Sequence, residues 1–277
     1  MKWVAPGPAF LFCPADRPER FAKAAAAADV VIVDLEDGVA PDQRERARAN
    51  VAVATLDPAT TIVRVNPVTS PEHANDLAML KESPFHLVML AKTSGADEVR
   101  SLEGFGVFAL CETPAGVMAA DAIAECPNTV GLMWGAEDLV AALGGYSSRH
   151  DDGSYRDIAR YARARTLLAA GAHHRCALDA VYLNFENLEG QRDEASDAAA
   201  MGFSASACVH PSQVAVVRAA YRPTSAQIAW AQNILAASKD RAGVYRVGGL
   251  MVDGPVVTQA RQILSRAADP NSSLFER

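Results

Sequence analysis

Short apolar runs alternate with longer polar or amphipathic stretches from residue 9 to about residue 220. An apolar run without internal alternation is typical of a strand buried on both faces. Strands are predicted near 9–13, 30–35, 61–65, 86–91, 106–111, 129–134, 178–183 and 205–209. Helices are predicted at 18–28, 41–54, 73–82, 96–102, 114–125, 137–143 with 155–171, 187–201 and 211–220. This alternation predicts an α/β fold, a (β/α)8 or TIM barrel over residues 1–222.

A doubly wound open sheet is the alternative arrangement of alternating strands and helices. No GxGxxG motif follows the first predicted strand, so the signature of a dinucleotide-binding half is missing. Residues 144–154 are polar and glycine-rich, and this long loop is expected to be either a lid or simply mobile.

The barrel rhythm stops before residue 223. Residues 225–239 predict a helix, residues 244–255 an extended piece with a Gly-Gly hairpin turn, and residues 256–268 a last helix. A C-terminal helix-hairpin-helix extension over residues 223–277 must pack on its own barrel or on a neighbouring subunit.

Composition narrows the class of partner. The 277 residues are 50% hydrophobic and 21% charged, with 26 Lys and Arg against 33 Asp and Glu, a net charge of −7. This balance argues against a nucleic-acid partner, which needs a basic footprint. No apolar run approaches the length of a membrane span and no targeting segment is recognised, so we expect a cytoplasmic protein without a membrane partner. The five cysteines lack metal-site spacing and are expected to be reduced and buried.

Two acids follow two predicted strands at the end where parallel α/β folds bind ligands. Glu112 follows the strand 106–111, and Asp138 lies just after the strand 129–134. Two carboxylates together with waters and ligand oxygens are the usual environment of Mg²⁺. Each acid could instead cap the helix that it precedes or begins, and spacing alone favours the cap.

A second group of charged residues lies on the predicted strands 30–35 and 61–65, at or near their ends. Asp34, Glu36 and Asp37 end the strand 30–35, where acids are costly unless they are paired, hydrated or metal-bound. A surface turn that caps the next helix explains them equally well. Arg64 lies inside an apolar strand, where its guanidinium could bind a ligand carboxylate or carbonyl, or pair with Glu36 or Asp37.

Three further residues are open to more than one interpretation. Lys92 ends the fourth strand and could neutralise the acids or bind substrate, although a solvated lysine is the default interpretation. His210, at the tip of the eighth strand, is either a ligand contact or a turn histidine. Asp253 is best explained, on its local sequence, as a turn or helix cap.

Taken together, seven motifs in this order resemble one family. They are LFCPADRPERFAKA (11–24), VDLEDGVAP (33–41), RVN (64–66), CETPAG (111–116), GAEDL (135–139), CVHPSQ (208–213) and VDGPVV (252–257). The chain resembles the HpcH/HpaI aldolase and citrate lyase family, specifically its citrate lyase beta-subunit-like branch. The fourth strand reads LAK where many relatives read LPK, so Lys92 receives no role from the resemblance.

The resemblance implies a TIM barrel that assembles as a homotrimer or hexamer. It implies Mg²⁺ bound by Glu112 and Asp138, which reverses the capping interpretation. It also implies that Arg64 binds a keto-acid or thioester oxygen, and that the Gly135–Ala136 backbone contacts the keto-acid carboxylate.

The remaining roles implied by the resemblance concern the rim of the site. Glu36 and Asp37 would orient Arg64 and metal-bound waters. Asp253 would be the acid/base, contributed by the tail of a neighbouring subunit. Coenzyme A would contact four residues, namely Phe12, Arg17, Lys23 and His210.

The implied activity is cleavage or formation of a β-hydroxyacyl-CoA, with acetyl-CoA and a small keto acid as the other side of the reaction. Three alternatives are a citrate lyase beta subunit acting on an acyl-carrier-protein thioester, a CoA-independent keto-acid aldolase, and a non-catalytic keto-acid-binding protein. The sequence does not distinguish malyl, citramalyl, 3-hydroxy-3-methylglutaryl and citryl groups. They differ by small substituents, and a methyl group in a pocket contributes only ~1–3 kcal/mol to discrimination between substrates.

Overall fold

Eight parallel strands close into a barrel in chain order, with the last strand paired to the first. The computed structural model describes residues 3–239 and 243–268. The barrel strands are β1 (Ala9–Pro14), β2 (Val30–Asp34), β3 (Thr61–Val65), β4 (Leu87–Leu90), β5 (Gly106–Cys111), β6 (Thr129–Trp134), β7 (Cys176–Asp179) and β8 (Ala205–Cys208). The predicted (β/α)8 barrel is confirmed.

Helices connect successive strands on the outside of the barrel. They are α1 (Phe21–Ala27), α2 (Arg44–Ala52), α3 (His73–Lys81), α4 (Ala96–Arg100), α5 (Pro114–Glu125), α6 (Ala136–Ala142), α7 (Asp157–Ala172), α8 (Leu188–Met201) and α9 (Ser212–Tyr221). Short 3-10 turns at Pro18–Arg20 and Pro41–Gln43 precede α1 and α2, which is why those helices begin later than predicted.

The strands bury both of their faces, as their continuous apolar runs predict. Inside the barrel, Phe10, Ile32, Met89 and Phe108 belong to one buried cluster. The opposite faces of the same strands pack against the helices in a second, larger cluster that includes Trp134. This two-layered core fixes the strand ends, and therefore the positions of the polar residues that follow them.

The seventh strand differs from its prediction. It runs over Cys176–Asp179 rather than 178–183. The carboxylate of Asp179, the last residue of β7, is held by Arg163 from α7, at 2.8 Å from Nη2 to Oδ2. Residues 181–183, although apolar, are half-buried or exposed and belong to the following loop.

The loop 144–154 is tied down at two points. The buried Ser148 hydroxyl donates a hydrogen bond to Glu137 Oε1 at 2.6 Å. The Arg149 guanidinium pairs with Glu194 on α8 at 2.9 Å and lies over the Tyr155 ring. These contacts hold the loop beside the first turn of α6 in this structure.

The C-terminal extension has a small core of its own. Helix α10 (Ser225–Ser238), the antiparallel hairpin of β9 (Tyr245–Val247) and β10 (Leu250–Val252), and helix α11 (Gly254–Ala268) follow the barrel. Ala231, Ile234, Val252 and Ala260 are buried together between them. Residues 240–242 and 269–277 of the predicted extension lie outside the described residues.

A hydrogen bond joins the extension to its own barrel. Arg266 on α11 donates a hydrogen bond to the Ala199 carbonyl of α8 at 3.0 Å. The structure contains a single chain, so packing against a neighbouring subunit stays a prediction. No helix in the described part of the chain combines the length and the apolar character needed to cross a membrane.

Candidate active site

The charged residues picked out from the sequence gather at the carboxyl ends of β2 to β6. Parallel strands in a closed barrel all end at the same face, where the connecting loops form the ligand site. Asp34 ends β2, Arg64 lies near the end of β3, and Glu112 directly follows β5. Asp138 lies in the first turn of α6, after β6.

Arg64 is held by Asp34, an acid to which the family resemblance gave no role. Asp34 and Arg64 are directly paired in the register of β2 and β3. Arg64 Nε and Nη2 donate to the two oxygens of Asp34, each at 2.6 Å. Such a bidentate pair fixes the plane of the guanidinium. Burial opposes its charge, yet the Asp34 carboxylate raises the pKa of Arg64, which therefore stays charged.

Glu36 lies on the remaining side of the guanidinium. Its Oε2 is 3.2 Å from Arg64 Nη1, and its side chain is buried. Among the described residues, this Oε2 is a buried oxygen without a hydrogen-bond partner. Burial raises the pKa of Glu36 against the opposing charges of Arg64 and Lys92. The pairing of Arg64 with Glu36 that the sequence allowed is present, but Asp34 is the stronger partner.

Lys92 is part of the acid cluster, so the interpretation as a solvated lysine is wrong. Its Nζ donates to Glu36 Oε1 and, at 2.9 Å, to Asp37 Oδ2. It lies 3.6 Å from Asp138 Oδ1. Burial opposes the charge of this ammonium, but its hydrogen bonds to the two acids raise the pKa of Lys92. For Asp37, the hydrogen bond from Lys92 lowers the pKa although partial burial opposes it.

Glu112 points into the site and does not cap the following helix. The cap of α5 is Thr113, whose hydroxyl accepts the Gly116 N–H at 3.0 Å. Glu112 Oε1 instead accepts the Lys92 backbone N–H at 3.0 Å. Burial and the neighbouring Asp138 charge raise the pKa of Glu112 to about 8. The capping interpretation of Glu112 from spacing alone is therefore wrong.

Gly135 makes room beside the second oxygen of Glu112. A side chain at this position would place its Cβ 2.8 Å from Glu112 Oε2, which is closer than real contacts allow. Gly135 also precedes α6, and Ala136 is the first residue of that helix. The backbone N–H groups of a helix's first turn lack intrahelical partners, so those at the start of α6 are available to a ligand bound beside Glu112.

The donor set of the site fits a divalent cation that prefers oxygen. Five carboxyl groups share the site with two cationic side chains, an excess of negative charge that a metal ion would reduce. These residues are Asp34, Glu36, Asp37, Glu112, Asp138, Arg64 and Lys92. No cluster of three or more potential ligands is found within residues 3–239 and 243–268. Mg²⁺ is commonly held by one or two carboxylates, with waters and substrate completing its coordination.

The four residues expected to contact coenzyme A divide between the site and its rim. The Phe12 ring lies 4.9 Å below the Arg64 guanidinium, inside the site. Arg17 and Lys23 are exposed on the segment after β1. His210 follows β8, the neighbour of β1, and its exposed ring stacks on Phe185 at 5.0 Å. Phe185, in the loop after β7, was not singled out by the sequence.

Asp253 immediately precedes the last helix, α11. Its Oδ1 accepts the Val256 N–H at 3.4 Å, so the expected capping contact is present. The hydrogen bonds described for Asp253 stay within α11 and do not reach the acid cluster of its own barrel. Its role as an acid/base contributed by a neighbouring subunit remains untested.

The fold and the site define a TIM barrel with an arginine and a cluster of acids at the carboxyl ends of its strands. The HpcH/HpaI aldolase/citrate lyase family matches residues 9–211, and the chain belongs to this family. The family predicted from the seven motifs is confirmed, and with it the class of lyase enzymes.

Named relatives support the same branch. A citrate lyase subunit beta-like protein of Mycobacterium tuberculosis is 53% identical over 98% of this chain and 100% of its own length. Rat mitochondrial citramalyl-CoA lyase is 31% identical, covering 86% of this chain and 79% of its own. Escherichia coli citrate lyase subunit beta is 32% identical, covering 87% of this chain and 86% of its own length.

Solved structures of a relative are similar over nearly the whole chain. One of them is CitE of Mycobacterium tuberculosis in complex with magnesium, acetoacetate and coenzyme A. The TM-score is 0.94 at 53% identity, covering 95% of this chain and 99% of the other. Magnesium in this relative agrees with the predicted cofactor. Coenzyme A and acetoacetate agree with the predicted partners, a thioester and a small keto acid.

Proposed function

We propose that the chain is an Mg²⁺-dependent carbon–carbon lyase. It cleaves, or in reverse forms, a β-hydroxyacyl-CoA such as citramalyl-, malyl- or 3-hydroxy-3-methylglutaryl-CoA, with acetyl-CoA and a keto acid as products. The observation that carries the proposal is the pairing of Arg64 with Asp34 beside the acids Glu112 and Asp138. A fixed guanidinium next to a two-carboxylate metal site suits a substrate that carries both a carboxylate and a thioester.

Glu112 and Asp138 would hold the metal ion. When bound, Mg²⁺ supplies Lewis acidity and a template for the carboxylate and carbonyl oxygens of the keto acid. The backbone N–H groups of Gly135 and Ala136 would donate to the same carboxylate. Glu36 and Asp37 would keep Arg64 and the waters of the site oriented.

Arg64 would stabilise the charge that develops during cleavage. As the bond between the α and β carbons breaks, its electron pair moves toward the thioester carbonyl oxygen, leaving the enolate of acetyl-CoA. A preorganised guanidinium beside that oxygen stabilises the charge without reorganisation at the moment of reaction. Protonation of the enolate carbon then completes acetyl-CoA.

Asp253 would take the β-hydroxyl proton in cleavage. Because its own contacts stay within α11, we propose that a neighbouring subunit of a trimer or hexamer supplies it. Leu250 and Met251, on the hairpin strand that leads to Asp253, are exposed, as a docking hairpin would require. Phe12, Arg17, Lys23 and His210 would contact the coenzyme A portion at the mouth.

Product analysis tests this proposal. Purified protein with Mg²⁺ and citramalyl-, malyl- and 3-hydroxy-3-methylglutaryl-CoA should release acetyl-CoA and a keto acid in equal amounts from at least one thioester. Release of free coenzyme A with the intact hydroxy acid would instead indicate hydrolysis, and would contradict a carbon–carbon lyase.

A further inference from the structure

Lys92 adopts a backbone conformation that lysine rarely occupies. Its φ is +51°, in the left-handed region, where the Cβ of an L-residue meets the following carbonyl oxygen. Glycine is the usual residue at such a position. Residues kept in this region despite the strain cluster at functional sites, so the conformation calls for an explanation.

The left-handed turn lets one residue serve two separate groups of acids. The backbone N–H of Lys92 donates to Glu112 Oε1 at 3.0 Å. Its side chain turns to the other side of the site, where Nζ contacts Glu36 and Asp37. Nζ also lies 3.6 Å from Asp138. Lys92 thus contacts both of the carboxylates assigned to the metal, and also Glu36, which pairs with Arg64, and its neighbour Asp37.

We infer that Lys92 is a positioning residue for the reaction. Its backbone directs Glu112 toward Gly135, and its ammonium holds Glu36 in place against Arg64. The same ammonium competes with the metal ion for Asp138. The turnover part of this inference rests on the proposed function, whereas its ligand-binding part does not.

Loss of a lysine with a merely structural role would weaken metal binding and keto-acid binding together. Loss of a positioning lysine should change these two affinities differently. Without the ammonium, Glu36 loses a charged hydrogen-bond partner at a buried position, and its contact with Arg64 Nη1 is no longer held in place. Keto-acid binding and turnover should therefore weaken. The metal site, in contrast, loses a nearby positive charge, so the divalent cation should bind equally well or more tightly.

Three variants of Lys92 test this inference. Lys81→Met, on the exposed end of α3, is the matched control. Lys92→Met removes the charge and keeps most of the side-chain length. Lys92→Gly removes the charge but retains the backbone N–H and relieves the left-handed strain. Lys92→Arg keeps the charge.

The readouts are Mn²⁺ affinity, acetoacetate affinity in the presence of Mn²⁺, kcat with the preferred thioester, and Tm. For Lys92→Met we expect Mn²⁺ to bind as tightly as in the control or more tightly. Acetoacetate affinity and kcat should each fall about tenfold or more. Lys92→Gly should show the same losses with a higher Tm than Lys92→Met, and Lys92→Arg should recover much of both properties.

Three results would overturn the inference. One is acetoacetate affinity and kcat in Lys92→Met within twofold of the control. Another is loss of Mn²⁺ binding in Lys92→Met or Lys92→Gly. The third is a wild-type protein that binds no acetoacetate with Mn²⁺ present. If the wild-type protein binds both ligands yet cleaves no thioester, the proposed reaction fails while the acetoacetate affinities still decide about Lys92.

Discussion

The indole of Trp134 donates a hydrogen bond to Asp179 Oδ1 at 2.6 Å, which ties the end of β6 to the end of β7. Asp179 is buried and also accepts from Arg163 on α7. Gly135, Ala136 and the acids of α6 follow Trp134 directly in the chain. This hydrogen bond therefore anchors the segment that brings Asp138 to the candidate metal site.

Asp179→Asn should destabilise the protein by about 1–3 kcal/mol, because Arg163 and Trp134 lose their shared charged acceptor. Arg163 keeps its ion pair with Asp197, which limits the loss. The free energy of unfolding from urea titration measures the effect. Asp193→Asn, on the exposed side of α8, is the control. An Asp179→Asn variant as stable as this control would contradict the anchoring role.

Arg64→Lys should fold but lower kcat/KM by about 10²–10³-fold. An ammonium cannot bond both oxygens of Asp34 in one plane and still present a donor to the substrate. Steady-state kinetics on the preferred thioester measures the change, with Arg100→Lys on the surface of α4 as the control. Kinetics unchanged from the control would show that the fixed guanidinium plane is unimportant.

Metal affinity should depend on pH through Glu112. Burial and the Asp138 charge raise the pKa of Glu112 to about 8, so the metal-free protein holds this proton at neutral pH. A metal ligand must lose its proton, so the apparent Kd for Mn²⁺ should rise by up to about tenfold per pH unit as pH falls below 8. Calorimetric titrations from pH 6 to 9 measure this, and a constant Kd would contradict the assignment.

The same shift predicts how the stability of the metal-free protein changes with pH. The folded protein keeps the Glu112 proton up to about pH 8, whereas the ordinary value is 4.5. The folded state binds more protons in this window, so the free energy of unfolding should fall as pH rises from about 4.5 to about 8. Glu112→Gln, which cannot titrate, should lack this contribution. Identical pH profiles for the variant and the wild-type protein would contradict the shift.

Mixed oligomers test whether Asp253 acts on a neighbouring subunit. Glu112→Gln and Asp253→Asn should each be inactive alone, yet co-assembly should regain about a quarter of wild-type activity, because some sites combine both intact residues. Activity after co-refolding, compared with the separately refolded variants, measures this. If mixing restores nothing while mixed oligomers form, Asp253 is not donated across an interface.

Much of the fold follows from the sequence because the strands are uninterrupted apolar runs between amphipathic helices. The exception, β7, ends at Asp179, whose carboxylate pairs with Arg163 of α7. Apolar character alone therefore extends the predicted strand into Val181 and Leu183, which lie in the loop. The local sequence does not indicate an ion pair between residues that are distant along the chain.

The positions of Arg64 and the acids follow from their places at strand ends, but their partners do not. Asp34 was present in the predicted cluster, and the parallel register of β2 and β3 places it opposite Arg64. The role of Lys92 depends on a left-handed turn at a non-glycine residue, which no sequence pattern indicates. Likewise, Thr113 caps α5 and so leaves Glu112 to face the site.

We propose that Glu112 and a divalent cation are both required to cleave a carbon–carbon bond in a thioester. The most direct measurement is acetyl-CoA release from the thioester panel by the wild-type protein and by Glu112→Gln, with Mg²⁺ titrated from chelated to saturating. Release by the wild-type protein should disappear with chelator and return with Mg²⁺, and Glu112→Gln should release no acetyl-CoA at any Mg²⁺ concentration. Chelator-resistant release, or release by Glu112→Gln equal to wild type, would contradict this proposal.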